Sequence, residues 1–172
     1  VDGTAEVTVR GTGSSWNASK LWIGRGGAGT LTVDSGASLS TSFLIVGEEA
    51  SLLGAGLLGF GTVTFDGANT QVDADTVSIG EMGTSSLSIT GGVQMTSSIV
   101  DIGVGASATA VVSGPTTNWT LTEVNRFVPA ELTVGTGDPF AGPPQTGSLL
   151  IDTGANVTTE DMYVGRTSAG DG

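Results

Sequence analysis

Seventeen acidic side chains, no histidine and no cysteine define the chemistry open to this 172-residue chain. Six acids invite a search for a shared site: Asp66, Asp73, Asp75 and Asp101, with Glu48 and Glu81. Glycoside hydrolysis needs two facing carboxylates at a defined separation, and polysaccharide elimination needs a base beside Ca²⁺ or arginine. The acids here are scattered or stand at turns. Asp34, Asp66 and Asp152 each follow a short apolar stretch, where an aspartate side chain stabilises the turn that comes next. Turn chemistry is the expectation, and no catalytic residue is assigned. Asp73-Ala74-Asp75 could hold Ca²⁺ together with Asp101, but the dense oxygen-ligand loop of known calcium sites is missing. In Gly26-Gly27-Ala28-Gly29-Thr30, a threonine stands where a calcium-binding glycine repeat needs aspartate. No metal and no cofactor is expected. Without His and Cys, histidine triads, most zinc sites and disulfides are excluded.

Other side chains suggest contacts rather than reactions. The net charge is −12 with five basic residues. Such a chain repels phosphate backbones, so nucleic acid is not an expected partner. Asn17, Asn118 and Asn156 each open a glycosylation sequon, which reads more simply as ordinary outward polarity. Thr8, Thr32, Thr64 and Ser88 form one recurring hydroxyl series, and Thr30, Thr62, Ser86, Thr109 and Ser148 form another. Thr-x-Thr ladders on a flat sheet can order water, as in ice-binding solenoids, but β-propensity on a solvated face gives the same pattern. The first series also fails at Val111 and Leu150.

The elements that must position these residues follow from a repeat. Leu21-Trp22-Ile23-Gly24 returns as Leu44-Ile45-Val46-Gly47, Val77-Ser78-Ile79-Gly80, Val100-Asp101-Ile102-Gly103, Leu132-Thr133-Val134-Gly135 and Met162-Tyr163-Val164-Gly165. Each copy is a short strand with one dry face, ended by a residue that tolerates a sharp turn. A second strand precedes each copy: Val7-Thr8-Val9, Leu31-Thr32-Val33, Val63-Thr64-Phe65, Leu87-Ser88-Ile89, Ala110-Val111-Val112 and Leu149-Leu150-Ile151. Between the two lies one apolar position: Trp16, Leu39, Val72, Met95, Trp119 or Val157. The steps from the second strand to this position run 7, 6, 7, 6, 7, 6, and the steps from it to the glycine run 8, 8, 8, 8, 16, 8. A basic rung is thus about 23 or 24 residues, and rungs alternate in pairs.

Three short strands joined by Gly, Asn, Asp and Ser turns cannot bury a core alone. Stacked in parallel, rung on rung, they can, and the handedness of parallel crossovers favours a right-handed coil. The expected fold is therefore all-β: a right-handed parallel β-helix, or solenoid, of about six three-strand rungs with three insertions. The chain, residues 1–172, reads as a single β-helix domain, a segment or repeat unit of a longer solenoid. No run approaches the ~18 apolar residues of a membrane span, and the pattern of a secretion signal is not seen, which reads as a mature or excised segment.

The order Gly13-Ser14-Ser15-Trp16, Leu21-Trp22-Ile23-Gly24, Gly29-Thr30-Leu31-Thr32-Val33 resembles the repeats of autotransporter (type V secretion) passenger domains and PEP-CTERM-associated bacterial surface proteins. The resemblance covers nearly the whole chain outside the insertions. It implies a right-handed parallel β-helix displayed outside a Gram-negative cell, a stalk or scaffold without catalytic residues.

The insertions fall at residues 48–60, 120–131 and 136–147, and insertions confined to one edge of a solenoid often form its contact face. Leu52, Leu53, Leu57, Leu58 and Phe60 lie in a Gly-rich stretch at 51–61 and should form a patch, with Phe127 and Phe140 as further members. Trp16 and Trp119 share the core position, whereas alternation sends Trp22 and Tyr163 outward, where they could stack on sugars or on a partner. Joining the last residue to a second copy of the first gives a return of 16 residues, equal to one already present. The expected function is an extracellular structural or adhesive element that associates with itself, end to end or through insertion loops, or touches a glycan or host surface. The alternative is a carbohydrate-binding or polysaccharide-degrading β-helix, and ice binding is a more distant one.

Overall fold

The computed structural model describes residues 3–52, 55–123, 129–135 and 146–165. Among them every regular element is a strand. The first repeat supplies β1 (Thr4–Arg10) and β2 (Ser15–Ile23), and the second supplies β3 (Ala28–Asp34) and β4 (Ser38–Val46). A small hairpin follows, β5 (Ala50–Leu52) and β6 (Ala55–Leu57). The third repeat gives β7 (Phe60–Asp66) and β8 (Gln71–Ile79). The fourth gives β9 (Ser85–Ile89), β10 (Gln94–Ser97) and β11 (Ile99–Ile102). The fifth gives β12 (Ala108–Ser113), β13 (Asn118–Leu121) and β14 (Glu131–Val134), and the sixth gives β15 (Gly147–Asp152), β16 (Asn156–Thr158) and β17 (Asp161–Val164).

Two parallel sheets result. One has six strands in the order β1-β3-β7-β9-β12-β15. The other begins with the long strands β2, β4 and β8, then divides: β10, β13 and β16 continue one half of β8, while β11, β14 and β17 continue the other. Each strand thus lies beside the strand one repeat away. The register is residue for residue. Val9, Val33, Phe65, Ile89, Val112 and Ile151 form one column. Trp16, Leu39, Val72, Met95, Trp119 and Val157 form a second, and Leu21, Leu44, Val77, Val100, Leu132 and Met162 a third. Inward residues of both sheets meet in one buried cluster, with Phe65, Trp119, Leu44 and Ile79 fully sealed. Burying each such side chain contributes about 1.5–3 kcal/mol.

The three-strand rung needs correction. In the first three repeats the second and third expected strands are one continuous strand. The strand bends without breaking its ladder. Val72 and Ala74 point in, Asp75 and Thr76 do not, and Val77 and Ile79 point in again. Two successive outward residues turn the corner, so the ladder continues on both sides of it. The inside of the corner holds Ala74 and two polar residues. Thr41 satisfies its hydroxyl on the Phe43 carbonyl at 3.0 Å. Ser97 accepts from Trp119 Nε1 at 3.0 Å.

The insertions also differ from expectation. The first contains the β5–β6 hairpin, antiparallel to itself. Phe60, expected in that loop, opens β7 opposite Ala28. Thr120 and Leu121 finish β13 and Glu131 opens β14, so the second insertion is shorter than read. The glycines that end the repeated strands, from Gly24 to Gly165, all have φ between 70° and 78°, a left-handed conformation costly for other residues.

Candidate functional site

The outward column beginning at Trp22 holds the best-developed cluster. β2 and β4 place Lys20 opposite Phe43, and Trp22 opposite Ile45. Lys20 Nζ lies 4.8 Å from the Trp22 ring centre and 5.1 Å from that of Phe43. The Arg25 guanidinium carbon lies 5.0 Å from the same indole. Trp22 is 40% exposed and Phe43 44%, so two cations and two rings share an accessible surface, held by cation–π attraction. Phe43 was missed in the sequence because it sits at the corner, where simple alternation fails.

Acids border this cluster. Arg25 Nε reaches Glu48 Oε2 at 3.3 Å, and that oxygen is sealed from solvent with no hydrogen bond completing it. Burial, then the nearby Glu48 charge, pushes the Glu81 carboxyl up; Lys20 opposes the rise and Asp101 adds to it. On the far side of the sheets, the hydrogen bond from Arg10 holds the Asp34 carboxyl below the usual range, through contacts of 2.7 to 3.0 Å.

Tyr163 is 37% exposed and outward as expected. It shares the Trp22 column, but Ile45, Ser78, Asp101 and Thr133 stand between them. At about 4.8 Å per strand the two aromatics are roughly 24 Å apart, so they form no single platform. Ile45, Ser78 and Thr133 are buried despite pointing outward, so part of this face is covered. Leu58 and Phe60 are 54% and 50% exposed. The side chains of Leu52 and Leu57, and the whole of Leu53, Phe127 and Phe140, lie outside the described residues.

The six acids of the sequence reading do not share one site: Glu48 and Asp101 act on Glu81, whereas Asp73 lies apart from them. Asp73 pairs in register with Ser40 and Thr96 and accepts a 2.9 Å bond from Thr96. Asp101 pairs with Ser78 and Thr133 on the other half of the sheet. Among the described residues no three acids gather as a metal site would require. Asp73 and Asp75 instead line an open polar groove of about 350 Å³ with Asn17, Ser40 and Ser42. The hydroxyl series is a true ladder, Thr8, Thr32, Thr64 and Ser88 lying side by side. It runs on into Val111 and a half-exposed Leu150. The sequon residue Asn118 belongs to an amide ladder, donating to Gln94 Oε1 at 2.9 Å.

No protein-family model, curated protein or solved structure matches the chain, so no relative's chemistry can be carried to these residues. The geometry offers aromatic and cationic contact surface, and regular polar ladders.

Proposed function

We propose that the chain is a stretch of right-handed parallel β-helix serving as a structural, adhesive element on the outside of a bacterial cell. The observation that carries this reading is the register: three inward columns continue through all six repeats, about one repeat length apart. A solenoid of this kind presents long flat faces and acts through contact. The resemblance to autotransporter passenger repeats supports export and display. Labelling intact cells that make the whole protein tests it: the reagent should reach the protein before lysis, and external protease should remove it. Labelling only after lysis would overturn surface display.

A second reading is carbohydrate binding or cleavage, favoured by the polar groove at Asp73 and Asp75. A glycan array separates the two, since the scaffold reading requires no saturable sugar site in that groove.

A further inference from the structure

One stretch of outward face carries hydrogen-bonding groups that the fold does not use. On β4, β8 and β10 the columns Ser38–Gln71–Gln94 and Ser40–Asp73–Thr96 run side by side, and Ser42 and Asp75 follow them at the corner. These strands belong to the second, third and fourth repeats and have described strands on both sides, so this face lies in the middle of the stack. The polar groove of about 350 Å³ at Asp73 and Asp75 continues into a second recess of about 320 Å³, since Ser40 and Asp73 line both.

Next to the groove, polar groups of the same face satisfy one another. Gln94 Nε2 donates to the Thr116 carbonyl at 2.8 Å, and Gln94 Oε1 accepts from Asn118 at 2.9 Å. That ladder stops at Gln71. Among the described residues, the side chains of Gln71, Ser38, Ser40, Ser42 and Asp75 make no hydrogen bond with the protein, and Asp73 accepts only from Thr96. Gln71, Ser40, Asp73 and Asp75 are exposed. Hydroxyl, amide and carboxylate groups thus face one open recess with their bonding capacity unspent.

Charge selects among the polar molecules that such a recess accepts. Asp73 and Asp75 are the only ionised groups lining it. Lys20, next in sequence to the corner, stands over the Trp22 and Phe43 rings instead. A phosphate, a sulfate or an acidic sugar would meet two carboxylates with no base to offset them. A neutral glycan would leave both carboxylates without a charged partner. A chain of amino sugars brings hydroxyls to the serine and glutamine side chains and ammonium groups to the carboxylates, where charge-assisted hydrogen bonds are roughly twice as strong as neutral ones. A linear polyamine supplies the charge but leaves the hydroxyls and the amide unused.

We infer that this groove binds an amino-sugar oligomer with free amines, its ammonium groups on Asp73 and Asp75 and its hydroxyls on Ser38, Ser40 and Gln71. The inference rests on the carbohydrate-binding reading of the groove given above and narrows it to one class of sugar.

The test is titration calorimetry of the full chain with a linear glucosamine tetramer. Binding should saturate, weaken as salt is raised, and fall roughly five-fold in Asp75→Asn. The double variant Ser40→Ala, Gln71→Ala keeps the charge and should also weaken binding about five-fold. Glu6→Gln removes an exposed acid on the other sheet and should change nothing. All four substitutions are at exposed positions, and an unchanged circular dichroism spectrum verifies the fold of each variant. The fully acetylated tetramer, which is neutral, should bind about five-fold more weakly than the free amine. Spermine matching the glucosamine tetramer, with the Ser40, Gln71 variant inert, or Glu6→Gln weakening binding as much as Asp75→Asn, would reduce the groove to general charge attraction and overturn the site. Equal or tighter binding of the acetylated tetramer would overturn the amino-sugar class and leave the carbohydrate reading standing. No binding of the glucosamine tetramer overturns the inference, and only a glycan array that is silent as well ends the carbohydrate reading with it.

Discussion

At the residue scale, the chain uses its few charges as local partners. Arg10, Lys20 and Arg25 each serve a neighbour one repeat away or an exposed ring. Glu81 is the exception, an acid made costly to ionise by burial and by Glu48. Its carboxyl is raised in the fold above its unfolded value, so the native state binds the extra proton. Stability therefore rises as pH falls from the raised value toward the ordinary glutamate range, and falls as pH climbs back through that window. Asp34 acts in the opposite sense: its contribution is present above the ordinary aspartate range and lost as pH drops through its lowered value. Glu81→Gln should raise the denaturation midpoint at neutral pH and flatten the gain seen on moving to pH ~5. Denaturant titrations of wild type and variant at both pH values check this, and an equal pH dependence in the two proteins would contradict it. None of this was legible in the sequence, because Glu48 and Glu81 meet only when the strand ends at Gly47 and Gly80 are stacked.

At the element scale, the sequence carried the strands and their register almost entirely. The fixed step from one apolar position to the next places Val33 beside Val9 and Phe65 beside Val33, as observed. It misplaced the corner. Trp16 and Ala18 share one parity, Leu21 and Ile23 the other; that slip of phase was the available signal for one bent strand. Thr41 and Ser97 hid it, because buried hydroxyls look like surface residues until their partners are known. Phe60 was misread for a related reason: a lone aromatic among glycines looks like loop, but its place opposite Ala28 makes it strand. The glycine that ends each repeated strand does more than tolerate a turn. A Cβ on Gly80 would lie 2.7 Å from the Ala108 methyl and 2.8 Å from the Ala106 carbonyl oxygen, at φ +76°. Gly80→Ala should cost about 3 kcal/mol, combining the left-handed penalty with overpacking. Gly11→Ala, at φ +92° with open space around it, should cost only about 1 kcal/mol. Equal losses in thermal or denaturant unfolding would mean that close packing of the returning chain is not what these glycines provide.

At the scale of the whole molecule, one device recurs. Every repeat leaves a face of apolar side chains and an edge of backbone groups that only a neighbouring repeat can complete. The two parallel sheets satisfy that need from β1 to β15 and from β2 to β17. Candidate contact residues were less legible than the architecture. Exposure of Trp22 and Tyr163 followed from alternation, whereas the burial of Ile45 and Thr133 on the same face did not, since covering depends on segments distant in sequence. The most direct test of the stacked coil is disulfide formation between outward cysteines placed in adjacent strands of one chain. Thr32→Cys with Thr64→Cys, and Thr64→Cys with Ser88→Cys, put thiols on neighbouring strands about 4.8 Å apart, within bridging range. Thr8→Cys with Thr64→Cys leaves one strand between them, roughly 9.6 Å apart and out of range. Rapid oxidation of the first two pairs in monomeric protein, with the third remaining reduced, is the predicted result; a reduced Thr32–Thr64 pair, or bridging of the Thr8–Thr64 pair, would contradict it.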